Sequence, residues 1–275
     1  MPQNDSLYAR VNKYAISLVD NAITKSIAFV VWSIPLYFYL SPYFSFLQSP
    51  NNTDYENIKQ FIEWFGVPYG LLLALVMVNA WTQFETVKRE FDREADTIWS
   101  FYDTVDLVTN QSETDILKKK IKDYVDLVIK HFEEETVESE SGWRRDGYKI
   151  LDDIRRSVGK LIEDKQSDVI TSELLALVNQ VVAARGNRLD SSRERIPSPI
   201  LWISIIASFF WLLPFYLLRF EDAGLGMFFV GGVTFVVVSI LLIIVDLNNP
   251  IDEGTWSVNL DSWNALKSRL DKPST

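Results

Sequence analysis

Side chains suited to chemistry are scarce and scattered along the chain. There is one histidine, His131, and no cysteine. Their scarcity removes disulfides, thiolate metal sites, cysteine nucleophiles and multi-histidine metal centres together. His131, next to Phe132 and Glu133, reads as a partly exposed helix residue. Glu133, Glu134, Glu135, Glu138 and Glu140 crowd carboxylates that would suit a divalent cation. Such a site needs its oxygens at defined positions, and a solvated helix end is the plainer reading. The segment RGNRLDSSRERIP (Arg185 to Pro197) is basic enough for nucleic acid or acidic lipid. Its place beside an apolar run favours the lipid and topology explanation, with no nucleic-acid partner. No nucleophile stands with its base, so no enzymatic activity is expected.

The apolar parts say more. Val67, Leu71 and Leu75 recur every four residues and share one helix face, with Gly66, Pro68 and Gly70 beside them and Asn79 a turn further on. Such a face can line a hydrophobic constriction, or it can be ordinary helix packing, for which nearby Gly permits close approach. Asn79 would be costly against lipid and reads as a pore or packing polar group.

These residues need elements to hold them. The chain has 275 residues, 48% hydrophobic and 23% charged, with a net charge of −10. Those totals suit a soluble protein, but the apolar residues are gathered into runs. A spanning helix needs roughly 20 mainly apolar residues. Four runs qualify: Ile27 to Phe46, Phe61 to Trp81, Ile200 to Leu218 and Leu225 to Val245. The last is rich in β-branched residues, yet in lipid the backbone must satisfy itself, so helix is predicted. The abundant Trp and Tyr suit membrane–water interfaces. The polar start carries no recognisable cleavable signal.

Basic residues set the orientation. Lys88, Arg89 and Arg93 follow the second run, and Arg185, Arg188, Arg193 and Arg195 precede the third. By the positive-inside rule the middle segment and both termini face the cytoplasm of a multi-pass inner-membrane protein. The expected layout is an all-α integral membrane protein with four transmembrane helices in two pairs and a helical cytoplasmic domain between them. Its segments are residues 1–26 (N-terminal), 27–82 (spans one and two), 83–198 (cytoplasmic domain), 199–246 (spans three and four) and 247–275 (C-terminal tail).

Within the middle segment, Phe84, Val87, Phe91, Ala95, Ile98 and Tyr102 continue the second span as one long helix. Ser112 and Asp115 have capping-box spacing before the stripe Leu117, Ile121, Tyr124, Val128 and Phe132. The run EEETVESESG should end that helix. Ile150, Ile154, Val158 and Leu161 mark a shorter third, and Ile170, Leu174, Leu177, Val178 and Val181 a fourth.

Two stretches resemble bestrophins. LLALVMVNAWTQF (Leu72 to Phe84) is similar to the Asn-x-Ala-aromatic segment of their second span, and DLNNPIDEGTW (Asp246 to Trp256) to the Asn-Pro-Phe-Gly-acidic segment after their last. The chain looks closer still to prokaryotic bestrophin-like proteins. The shared features are the long helix, the Arg185 to Pro197 approach and a Trp-x-Val phrase at Trp256 to Val258. The resemblance implies a homo-oligomeric ion channel, pentameric in bestrophins, with a neck on Val67, Leu71 and Leu75. The acidic calcium clasp of some bestrophin tails would touch Asp252 and Glu253. Val76 stands where a basic residue is usual, Leu75 where an aromatic is, and Ile251 and Asp252 where Phe-Gly is. For a channel, Asp54, Glu56 and Glu63 would form an acidic outer vestibule favouring cations. The alternative from another class is a membrane-anchored scaffold or sensor whose helical domain binds a protein partner.

Overall fold

A computed structural model of the chain describes residues 24–43, 53–108, 111–133, 140–163, 168–218, 220, 222–250 and 258–272. Every regular element among them is α-helical. They are α1 (Thr24–Leu40), α2 (Thr53–Val105), α3 (Gln111–Glu133), α4 (Glu140–Glu163), α5 (Asp168–Ser191), α6 (Ser198–Leu217), α7 (Ala223–Leu247) and α8 (Asp261–Leu270). Contacts divide the chain into two units. An apolar unit comprises Met1–Phe84 with Glu194–Ser257, and a charged unit Glu85–Arg193 with Val258–Thr275.

Three helices, α2, α6 and α7, are long and apolar enough to cross a membrane. The run expected from Ile27 to Phe46 gives a shorter apolar helix, α1, which ends at Leu40, two residues before Pro42. Pro cannot continue a helix easily, and the residue before it is steered away from helical geometry. Residues 44–46 lie outside the described residues. The long helix is there in full: α2 has 53 residues and contains Pro68. At 1.5 Å per residue it is about 80 Å long.

In the apolar unit, Tyr69, Leu73, Val76, Ala80 and Phe84 bury one face of α2 with Ile196, Val237, Ile244 and Leu247. Paired hydroxyls tie the helices together where lipid could not satisfy them. Tyr69 donates to Ser208 Oγ at 2.8 Å, joining α2 to α6, and Ser208 Oγ donates in turn to the Ser204 carbonyl at 2.7 Å. Tyr216 and Thr234 bond at 2.7 Å between α6 and α7, and Ser239 donates to Ser26 at 2.9 Å between α7 and α1. A Cβ on Gly226 would sit 2.8 Å from the Tyr37 hydroxyl, so this glycine lets α1 and α7 approach. The Asn-Pro phrase has a structural task as well. Asn248 Oδ1 accepts from the Ile196 N–H at 2.7 Å, and Arg195 donates to Asn249 at 3.2 Å, fixing the entry to α6.

In the charged unit, one core joins α2, α3, α4, α5 and α8, with Phe91, Ile98, Leu117, Tyr124, Ile154, Leu174 and Trp263 among its buried members. Two expectations need correction here. α4 is not short: it starts at Glu140, inside the glutamate run that should have separated helices. Its first turns are polar and carry no apolar period, so the stripe becomes visible only near Ile150. The tail is not simply a tail, since α8 buries Trp263, Leu266 and Leu270. Lys267 reaches Asp126 at 2.7 Å, and Lys122 lies 3.5 Å from Asp271.

Candidate functional site

The face of α2 opposite the buried Tyr69–Ala80 row is uncovered. Val67 is 76%, Leu71 61% and Leu75 56% exposed. Trp64 and Val78 extend the same strip, and Phe61 flanks it. Among the described residues nothing covers these side chains. Val76 is buried in the core, so no charge follows the stripe at that position. Asn79 is exposed beside the strip rather than engaged within the bundle. Glu56 and Glu63 are exposed near the start of α2, and Asp54 lies in its first turn. Asp252 and Glu253 lie outside the described residues. His131 is half-buried with its ring edge-on to Phe132. Among the described residues, no group of three or more His, Cys, Asp or Glu is placed to hold a metal ion.

The charged unit holds a second constellation. Glu94 and Arg185 are 0% exposed and Arg188 is 3% exposed. Arg188 Nε donates to one Glu94 oxygen and the Tyr124 hydroxyl donates to the other. Arg185 Nη1 donates to the Tyr124 oxygen at 2.7 Å. The order is Arg185 to Tyr124 to Glu94, met from the other side by Arg188. The guanidinium of Arg185 also lies 5.4 Å from the Tyr124 ring and 5.0 Å from that of Tyr148. Gly147 makes the room, because a Cβ there would collide with the Arg185 guanidinium.

Residues 28–258 match the bestrophin-like domain family. The chain belongs to the bestrophin-like family. No curated protein matches it in sequence. Among solved structures, a bacterial bestrophin homolog from Klebsiella pneumoniae carrying a point substitution superposes with a TM-score of 0.73 at 12% identity. That match covers 90% of this chain and 97% of the other. A further variant of the homolog gives 0.72 at 11% identity, covering 90% and 99%. At such identities the likeness is one of fold. This bestrophin-like chain is therefore an all-α, multi-pass membrane protein.

Within this family member, the basic approach to α6 is not what its charge suggested. Arg185 and Arg188 are buried and bonded, which leaves Arg193 and Arg195 for a surface role. Reasoning from sequence missed Glu94 as well. The signal was present: Glu94 falls three residues after Phe91 and four before Ile98, on the apolar stripe itself. A carboxylate there demands a cationic partner. Arg185 and Arg188 likewise continue the stripe of Leu177, Val178 and Val181.

The cluster makes a pH prediction. Burial, and then the Glu94 carboxylate, push the Tyr124 hydroxyl well above its ordinary value of 10.0. Burial works against the charge of Arg188, but Glu94 and Tyr124 outweigh it and raise its pKa. Unfolded Tyr124 releases its proton at about the ordinary value, whereas the folded chain keeps it. Its stabilising contribution is thus full below pH 10 and falls as pH rises beyond. Tyr124→Phe should cost about 1–3 kcal/mol at neutral pH, because Arg185 and Glu94 lose a partner. The gap to wild type should narrow above pH 10. Unfolding free energies between pH 8 and 11.5 test this, and a constant gap would sink it.

Proposed function

We propose that this chain forms a homo-oligomeric ion channel, pentameric as the bestrophin resemblance implies, in which Val67, Leu71 and Leu75 of each subunit form a hydrophobic neck. In this reading α1 is a fourth span, paired with α2 as α6 is with α7. Residues 83–198, which hold most of the charged unit, and both termini lie on the cytoplasmic side of the inner membrane, with Lys88, Arg89, Arg93, Arg193 and Arg195 near the spans. Residues 1–26 and 247–275 flank the spans. The uncovered stripe on α2 carries the reading. An apolar constriction holds back ions by dewetting and needs no charged filter. Asn79 hydrates the cytoplasmic exit, and Asp54, Glu56 and Glu63 concentrate cations at the outer mouth. That attraction is screened beyond about 8 Å, so only carboxylates at the rim contribute.

The test uses the full chain in nanodiscs and planar bilayers. With no native cysteine, Leu71→Cys should crosslink to symmetry mates, and imaging should show a ring with α2 innermost. Leu71→Ala should raise conductance several-fold. Reversal potentials in a salt gradient should show cation preference, reduced by Glu56→Gln with Glu63→Gln. A monodisperse monomer in native-like lipid rejects the channel and favours the scaffold. A chloride-preferring wild type rejects the vestibule alone.

A further inference from the structure

In the charged unit, α2 carries Glu85, Lys88, Arg89, Asp92, Arg93 and Asp96 along one open face. Arg89 donates to Thr86 Oγ1 at 3.3 Å, and Arg93 lies 3.9 Å from Glu90. Among the described residues Glu85, Lys88, Arg89, Asp92 and Asp96 form no ion pair within the chain. The six charges sum to zero, so they do not repel one another as a single-sign ring would.

Their arrangement around the helix is ordered by sign. At about 100° per residue, with Arg89 as reference, Asp96, Glu85 and Asp92 fall roughly 20–60° to one side. Arg93 falls roughly 40° to the other. The face therefore has an acidic edge and a basic edge, with Arg89 between them. Only Lys88 departs, lying further round beyond the acidic edge.

We infer that this face docks a second copy of the chain head-to-tail, the basic edge at Arg93 of one α2 meeting the acidic edge at Asp92 and Asp96 of the next. Parallel helices around a rotation axis present opposite edges to their neighbours, so a sign-sorted helix is complementary to itself. The same logic makes flanking charges select partner and register in parallel coiled coils. An antiparallel isologous contact would set like against like. The inference rests on the proposed ring and adds the polar contacts that set its handedness and spacing.

Two tagged full-length chains, one with Arg93→Cys and the other with Asp96→Cys, are co-expressed and treated in membranes with a short bismaleimide. This reagent tolerates the wider spacing that a disulfide would not. A parallel sample carries Leu71→Cys. Mixed-tag dimers should exceed either same-tag dimer at least five-fold. Arg93→Glu alone should lower the assembled fraction at low salt several-fold, and adding Asp96→Arg should restore it. Predominant Arg93→Cys same-tag dimers would place that residue on the axis and overturn the inference. So would crosslinking through Leu71→Cys with none between the two edges, which leaves the channel reading intact. Failure of all three crosslinks in a monodisperse monomer overturns both.

Discussion

Replacing Glu94 by alanine should lower the stability of the charged unit by about 3–5 kcal/mol. The carboxylate uses both oxygens, one for Arg188 and one for Tyr124. Its removal takes the carboxylate away from Arg188 and an acceptor away from Tyr124 in a buried core. Desolvation, not the lost attraction, makes this the costly change. A charge left unpaired inside a protein costs more than an intact pair contributes. Glu94→Gln keeps one acceptor and should fall between the alanine variant and wild type. Glu85→Ala, on the exposed face of the same helix, should stay within about 0.5 kcal/mol. Denaturant unfolding of the full chain in detergent, followed by tryptophan fluorescence, measures all three. A Glu94→Ala loss below about 1 kcal/mol would mean that water reaches the arginines.

The second large effect belongs to Trp263. Its side chain is 0% exposed, its Nε1 donates to the Phe91 carbonyl at 3.2 Å, and its ring lies 5.4 Å from that of Phe91. Trp263→Ala should cost about 3–5 kcal/mol through the cavity left behind. The salt bridges on either side cannot hold α8 alone, since exposed pairs are worth about 0–1 kcal/mol each. α8 should then lose amide protection first and become the earliest site of proteolysis, with α3 and α4 still protected. Hydrogen exchange on the variant measures this. Protection lost evenly across the unit would show that α8 is part of one cooperative core.

What could be read from sequence followed the length of the signal. Three membrane-length helices and the run from Phe84 to Tyr102 were legible because many residues repeat one period. α8 was not, because ten residues with three apolar positions cannot be told from a loop. The start of α4 was hidden for a related reason, Trp143 being a lone apolar residue among the polar ones of its first turns. The Glu94 cluster was obscured differently. Glu94, Arg185 and Arg188 are charged residues at helical positions, and on sequence alone such residues read as solvated or lipid-facing. Only the three-dimensional convergence of α2, α3 and α5 shows that they satisfy one another. The stripe of Val67, Leu71 and Leu75 was visible as a period, but a period does not say whether the face is covered. Its exposure comes from the other side of the helix, where Tyr69, Leu73, Val76 and Ala80 take up the available packing surface.

Pro68 gives α2 a mechanical property that the rest of its 53 residues lack. Proline has no N–H, so the carbonyl of Trp64 loses its helical donor and the pyrrolidine ring crowds it. Such positions are where long helices bend. Compliance in an otherwise stiff rod is thus concentrated within a turn of Val67 and one turn short of Leu71. Flexing α2 there moves Trp64 and the N-terminal turns relative to Leu71 and Leu75, which are held to the bundle through Tyr69 and Leu73. The Trp64 end of the stripe can therefore shift relative to Leu71 and Leu75, which packing on the opposite face holds in place.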